Sequence, residues 1–374
     1  MKVIHVITGL NVGGAEMMLY KLLSAMDREQ FSSEVISMTD IGPVGKKIEA
    51  LGVPVRALGM QRGIPSPFGL LRLVKWLREA KPDVIQSWIY QADLIAGIAA
   101  KLAGDIPLVW GVRSSNLDPS VNKRVVVIIA KVCAALSVYL PTKILCCSEA
   151  SLLLHKTVGY DKKKMLVVCN GFNVEQFQSL PSAKKDLKNE LGVERSALLI
   201  GQAGRFDPQK DHQNFIQAAE IVTQKNDEIH FVLCGGDIDK NNIQLNNWIN
   251  AAGLRNKVHL LGVRDDMPEL MAGLDIYTSS SCGEGFPNVV GEAMACEVPC
   301  VVTDVGDSAL IVGDTGMFVQ PSNSEALARA WLDMIAKSDK QRQELGRCAR
   351  QRVLDKFSLA KIADEYGALY KGLL

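Results

Sequence analysis

Two glutamates, Glu284 and Glu292, stand eight positions apart in the run Gly283-Glu284-Gly285-Phe286-Pro287-Asn288-Val289-Val290-Gly291-Glu292. Glu284 sits between glycines in a turn that closes on Pro287. A helix is predicted to open near Asn288, a residue type that suits an N-cap. The amides at 288–290 would then form an anion site. Carboxylates beside an anion site make chemical sense if each accepts hydrogen bonds from neighbouring hydroxyls, as on a sugar or a ribose. A second cluster, Gly204-Arg205-Phe206-Asp207-Pro208-Gln209-Lys210, puts two cations just past a β-rich run. A guanidinium fork and an ammonium point charge together suit a diphosphate. No Gly-Lys-Ser/Thr follows that glycine, which excludes a Walker loop. A third cluster, Gly13-Gly14-Ala15-Glu16, lets backbone approach a ligand closely. Its spacing is not Gly-x-Gly-x-x-Gly, so a nicotinamide dinucleotide is not indicated. A further turn, Val302-Thr303-Asp304-Val305-Gly306-Asp307, is expected to shape the same cleft as Glu284.

Each of these clusters follows a run that reads as a strand. In the first half the β-rich runs are 3–8, 33–39, 53–58, 83–88, 107–112, 143–148 and 164–169, with amphipathic helical patterns between them. Continuous apolar strands separated by helices predict a parallel sheet covered on both faces. After Asn170-Gly171 a polar connector spans 174–194, and the alternation restarts with runs at 197–204, 229–235, 257–262, 274–280 and 298–303. The expected fold is therefore α/β, with two Rossmann-like, doubly wound domains. Residues 357–374 read as an amphipathic helix with aromatic residues at 357, 366 and 370.

Composition limits the partners. The 374 residues exceed what one hydrophobic core usually serves. Lys plus Arg number 42 against 41 Asp plus Glu, so the excess of positive charge expected of a nucleic-acid binder is lacking. No apolar run reaches the roughly 20 residues needed to span a bilayer, and the N-terminus lacks a signal-peptide pattern, so a cytoplasmic protein is expected. Nine cysteines without a Cys-x-x-Cys pair read as reduced thiols, and five scattered histidines have no zinc-site spacing. The stretch 121–139, apolar nearly all round with Lys123, Arg124 and Lys131 as its cations, is read two ways. It is either a buried helix or a surface that rests on an anionic bilayer.

In this order the motifs resemble glycosyltransferase family 4, the retaining nucleotide-sugar transferases of GT-B fold. The likeness covers essentially the whole chain. Its strongest part is the E-x7-E pair Glu284 and Glu292, supported by GRFDPQKDH at 204–212, GGAE at 13–16, Asn170-Gly171 and Gly262-Val263-Arg264. The resemblance implies two facing domains, 1–172 plus 357–374 on the acceptor side and 173–356 on the nucleotide-sugar side, with the last helix crossing back to the first. It implies that Arg205 and Lys210 bind the donor's diphosphate with the amides around Asn288 and with Gly14. Glu292 would hold the ribose, Glu284 the transferred sugar, and the backbone at Val263 and Arg264 the base. Gly13, Gly285, Phe286, Pro287 and Val289 complete the implied donor surface. A UDP-sugar is preferred over a GDP-sugar, with no cofactor and no metal required. The acceptor, a glycan or lipid-linked glycan, would enter near Gly13–Glu16, Trp88–Gln91 and Arg113, with peripheral contact at the inner face of the membrane. Cell-surface polysaccharide or glycolipid synthesis is the implied setting.

One departure stands out. Where many members carry a histidine at the end of the strand 108–113, this chain has Arg113. His5 and His155 read as structural, so catalysis is assigned to Arg205, Lys210, Glu284 and Arg113, the last adding a cation from the opposite domain. Retention can proceed by front-face attack, with the leaving diphosphate accepting the acceptor's proton and the protein stabilising its charge. The competing readings are an epimerase on the same fold and a non-catalytic nucleotide-sugar-binding protein or partner subunit, the latter favoured only by Arg113.

Overall fold

In a computed structural model, which describes residues 1–61, 66–118 and 123–374, the chain divides into two compact units. Unit 1 comprises Met1–Gly171 with Leu359–Leu374, and unit 2 comprises Phe172–Ser358. The divisions fall at 171/172 and 358/359 because Phe172 and Phe357 pack on unit 2, where both meet the Phe286 ring at centroid separations of 5.8 and 5.9 Å. Gly291 makes room for this cluster, since a Cβ there would run into the Phe172 ring.

Unit 1 is built on seven parallel strands: β1 (Lys2–Ile7), β2 (Ser32–Ser37), β3 (Val55–Ala57), β4 (Val84–Trp88), β5 (Leu108–Val112), β6 (Lys143–Cys146) and β7 (Met165–Val167). Their order is β3-β2-β1-β4-β5-β6-β7. Unit 2 has six: β8 (Leu198–Ala203), β9 (Ile229–Cys234), β10 (Val258–Leu260), β11 (Ile276–Ser279), β12 (Cys300–Thr303) and β13 (Met317–Val319), in the order β10-β9-β8-β11-β12-β13. The strands β1, β4, β5, β8 and β11 have almost no exposed residues, which accounts for their unbroken apolar sequence. The strand β13 was not anticipated: three residues long, it lies on the sheet edge, and Phe318 is exposed.

Each sheet reverses its strand order once, between β1 and β4 in unit 1 and between β8 and β11 in unit 2. The loops that leave such neighbouring strands in opposite directions open a crevice at the strand tips, where open α/β sheets bind ligands.

The helix expected over 357–374 is present as Leu359–Lys371, starting two residues later because Phe357 ends a preceding helix. One helix runs Asp339–Phe357 on unit 2; after Ser358 in extended conformation a second, Leu359–Lys371, packs on unit 1. Its buried Leu359, Ile362, Tyr366 and Tyr370 join the core formed by β1, β4 and the Gly14–Ala25 helix. Gly171 allows the approach, because a Cβ there would lie 2.8 Å from the Leu359 Cα.

The apolar stretch after residue 121 forms the helix Arg124–Leu136; Val121 and Asn122 lie outside the described residues. The helix has one buried face and one exposed face. Ala130, Cys133 and Ala134 are buried, whereas Val125, Ile128 and Val132 are 44, 61 and 40 % exposed. Lys123, Arg124 and Lys131 are exposed beside them. No described helix is long and apolar enough to cross a membrane.

Candidate functional site

The crevice at the β8/β11 reversal collects most of the chemistry read from the sequence. Past the end of β8, Asp207 accepts a hydrogen bond from the Gln209 amide (3.0 Å) and fixes the short 3-10 turn Pro208–Lys210. Asp211, with φ of +47°, then caps the His212–Thr223 helix through the Asn214 amide. Gln202, 4 % exposed at the tip of β8, staples this turn to the loop after β11. Its Oε1 accepts from the amide and hydroxyl of Ser280 (3.0 and 2.9 Å), and its Nε2 donates to the Lys210 carbonyl (3.3 Å). The Cys282 amide donates to the Gln209 carbonyl (2.8 Å) as a second staple.

These fastenings bring Lys210 and Glu284 together although 74 residues separate them. The lysine Nζ lies 2.5 Å from Glu284 Oε1, and the Ser281 hydroxyl donates to the same oxygen at 2.7 Å. The lysine stem lies over Gly204, where a Cβ would come within 3.2 Å of its Cε. Gly306, with φ of +55°, lies directly under the Glu284 and Gly285 carbonyls, and the Asp307 amide donates to the Gly285 oxygen (2.9 Å). The turn at 302–307 thus supports the Glu284 loop. Arg205 is 74 % exposed and rests its Nε and a terminal nitrogen on Asp207 Oδ2 at 3.0 and 2.9 Å.

The helix behind the loop is Asn288–Ala295, and Pro287, not Asn288, occupies its N-cap. Its N-cap residue makes no side-chain capping hydrogen bond, and the first amides of a helix are where an anion would be received. Val289 and Glu292 are half-buried on its first turns. Phe286 is 7 % exposed within the aromatic cluster with Phe172 and Phe357, so its side chain anchors the loop. Val263 is 76 % exposed after β10. The Arg264 side chain hydrogen-bonds Asp266 and Glu190 of the Ala183–Leu191 helix, and these contacts push its pKa up.

One Asp-x-Asp triplet, Asp237-Ile238-Asp239, bears on the expectation of a metal-free site and went unread in the sequence. It forms the turn after β9. Ile238 is buried, Asp239 accepts from the Asn241 amide (2.7 Å), and the Asp237 carbonyl accepts from the Asn242 side chain (2.7 Å). Among the described residues no group of three or more His, Cys, Asp or Glu is placed to hold a metal ion.

In unit 1, Gly13 is the N-cap of the Gly14–Ala25 helix and leaves space for the Glu16 carboxylate, which a Cβ would meet. Arg113, one residue past β5, stacks 4.3 Å from the Trp88 ring centroid. One terminal nitrogen donates to Asn170 Oδ1 (3.0 Å) and the other to the Tyr366 hydroxyl. The arginine therefore ties β5 to the last helix within its own unit.

Two sequence families account for most of the chain in succession: residues 12–176 match Glycosyltransferase Family 4, and residues 197–337 match Glycosyl transferases group 1. The chain belongs to glycosyltransferase family 4. Among its relatives is the UDP-Gal:alpha-D-GlcNAc-diphosphoundecaprenol alpha-1,3-galactosyltransferase of Escherichia coli, 24 % identical over 99 % of this chain and 96 % of that one. Another is the N,N'-diacetylbacillosaminyl-diphospho-undecaprenol alpha-1,3-N-acetylgalactosaminyltransferase of Campylobacter jejuni, 27 % identical over 87 % of each chain. Anabaena HepE, solved in complex with UDP, superimposes with a TM-score of 0.87 at 25 % identity over the full length of both chains. The glycosyltransferase WaaG shares the fold at 15 % identity and a TM-score of 0.74, over 99 % of this chain and all of that one.

This family 4 glycosyltransferase has the GT-B fold and transfers a glycosyl group. Three of its polar residues were not singled out by sequence reasoning. Asp93 is fully buried in the Tyr90–Gly104 helix, where its Oδ1 accepts from Ser87 (2.6 Å) and the Gly111 amide (3.1 Å). Burial pushes its pKa up to about 7. Its signal was legible: a lone acid in a helix of alanines, leucines and isoleucines. Gln202 and Ser280 carried no such mark, because polar residues at a strand tip are common. His5, His155 and His212 are buried. His5 accepts from the Trp88 indole, and burial lowers its pKa to about 3. His212 is held near 4 by burial and by Lys210.

Proposed function

We propose that this glycosyltransferase moves a sugar from a UDP-sugar to a lipid-linked glycan with retention of configuration, without a metal, at the cytosolic face of a membrane. The observation that carries the reading is the Lys210–Glu284 pair at the β8/β11 crevice, facing cation and carboxylate in one loop cluster. Lys210 and the exposed Arg205 hold the diphosphate with the amides at the start of the Asn288–Ala295 helix, Gly285, Pro287 and Val289 lining that approach. Glu284 takes hydroxyls of the transferred sugar, Glu292 those of the ribose, and backbone at Val263 and Arg264 the base. The UDP named for the Anabaena relative and the diphosphoundecaprenol named for the two bacterial ones support the choice of donor and acceptor.

In the reaction the acceptor oxygen bonds to the anomeric carbon on the face from which the diphosphate departs. The acceptor's proton passes to the departing phosphate oxygen, and the cations and amides stabilise the charge that develops there. Unit 1 is assigned the acceptor, with Gly13, Gly14 and Glu16 on its side. Arg113 enters as a positioning residue, because Trp88, Asn170 and Tyr366 already engage it. The apolar and basic face of the Arg124–Leu136 helix supports peripheral membrane contact.

Purified protein offered a panel of UDP- and GDP-sugars in excess EDTA, with the anomeric configuration of the product read by NMR, tests the proposal. UDP release and a retained anomer are expected. Dependence on added Mg²⁺ or Mn²⁺, or an inverted product, refutes the corresponding part.

A further inference from the structure

Unit 1 contains a cavity of about 460 Å³ at its own strand-order reversal, between the tips of β1 and β4. That volume falls within the range of small-ligand pockets. Its lining is of two kinds. Thr8, Gly9 and Gln91 follow the strand tips, with Thr8 hydroxyl to Gln91 Oε1 at 3.4 Å, and Glu16 lies on the first turn of the Gly14–Ala25 helix. The remaining wall is apolar: Met38, Met60, Leu94, Ile95, Val126 and Ile129. A core would be expected to fill such a space, since interiors pack to crystal-like density. Ile89, on the same wall, holds a φ of +74°. A β-branched residue in that region is strained, and strain of this kind gathers where a ligand is held.

The cavity opens onto the exposed stripe described above. Val125 lines it and is also 44 % exposed, and Lys123 stands beside it. The apolar surface is thus continuous from inside the cavity to Ile128 and Val132 on the outside of the Arg124–Leu136 helix. A sugar alone has no use for a wall of methionine, leucine, isoleucine and valine. A chain with a polar head and a long apolar tail matches both parts.

We infer that this cavity binds the lipid carrier of the acceptor, taking the head-proximal isoprene units of a polyprenyl chain. The anionic head lies toward Lys123, the sugar toward Thr8 and Gln91, and the rest of the chain leaves along Val125, Ile128 and Val132. The inference rests on the lipid-linked acceptor of the proposed function and adds the place where the lipid is recognised.

The test has two arms. In the first, farnesyl diphosphate and inorganic diphosphate are titrated into the protein in saturating UDP, which blocks the diphosphate site of unit 2. Wild type is expected to bind the prenyl compound in clear preference. Ile129→Trp, which fills the cavity, and Val125→Glu, which charges its mouth on an exposed position, are each expected to weaken that binding about tenfold. In the second, transfer is measured to one sugar carried either on a polyprenyl diphosphate or on a methyl group. The variants are expected to raise KM for the prenyl acceptor and not for the methyl glycoside. Equal binding of the two diphosphates, or unchanged prenyl binding in a Val125→Glu protein that melts like wild type, overturns the inference. Failure of wild type to transfer to any acceptor, with prenyl binding intact, refutes the proposed acceptor and leaves the cavity assignment standing.

Discussion

The Lys210–Glu284 pair lends itself to a quantitative challenge. At 2.5 Å and an effective dielectric constant near 20 the Coulomb attraction is about 7 kcal/mol. Withdrawing both groups from water cancels most of it. Exposed pairs are worth about 0–1 kcal/mol, whereas removing one member of a buried pair costs about 3–5 kcal/mol. With side chains 23 and 12 % exposed, this pair falls between those limits. Lys210→Met is therefore expected to cost about 2 kcal/mol of stability, and Glu284→Gln about 1 kcal/mol, because the freed lysine can turn to solvent. The double variant should cost no more than Lys210→Met, a coupling of about 1 kcal/mol in a double-mutant cycle read by urea unfolding. Binding of UDP separates the two singles. Loss of a charge-assisted contact in Lys210→Met should weaken UDP about 10- to 100-fold. Glu284→Gln should tighten UDP about threefold, because the carboxylate no longer competes with the diphosphate for the ammonium. Additive single costs, or UDP affinity that falls in Glu284→Gln, would show that the pair does not work this way.

Asp93 predicts a pH dependence. In the fold it keeps its proton to about pH 7 because it is buried, whereas unfolded it titrates near 3.8. Between those values the folded state holds a proton that the unfolded state has lost, so this group's contribution to stability falls as pH rises to about 7 and is level above it. Its span is roughly 4 kcal/mol at most. Buried His5 and His212 act in the opposite sense below their ordinary pKa, so the measurement is wild type minus Asp93→Asn, by urea unfolding at about pH 5 and about pH 8. A difference that does not change with pH sinks the assignment. Gly306→Ala puts a Cβ against the Glu284 and Gly285 carbonyls at a φ of +55°, and donor KM should rise about tenfold while acceptor KM holds; an unchanged donor KM would detach that turn from the site. Ile128→Glu with Val132→Glu should cut flotation with anionic vesicles about tenfold or more, and undiminished flotation removes the membrane face.

Much of the architecture could be read from the sequence because parallel strands covered on both faces must be apolar throughout. The strands β1 to β12 all fall in runs that stood out on that ground. The edge strand β13 did not, since Met317–Val319 is too short for a pattern and half of it faces solvent. The start of the last helix was placed two residues early, because Phe357 continues the aromatic face of Tyr366 and Tyr370 although it packs on unit 2. The loops proposed to hold the donor stood out through residues that a simple turn does not need, Glu284 between glycines and two cations past a strand. Their partners were less legible. That Lys210 meets Glu284, or that Gln202 fastens their loops, depends on which strands become neighbours. Arg113 looked like a free cation because its partners, Asn170 and Tyr366, are distant in the chain.

The helix Leu359–Lys371 has a consequence for biosynthesis. Residues 1–171 of unit 1 are made before unit 2, yet Leu359, Ile362, Tyr366 and Tyr370 in its core are made after it. A nascent chain that has emitted the first 171 residues still lacks one wall of that core, and must wait for the intervening 172–358, roughly ten to forty seconds at ordinary elongation rates. Unit 2 is complete first, so the order of synthesis and the order of folding are inverted. A stop codon placed within 359–374 would spare unit 2 and unmake the unit synthesised before it.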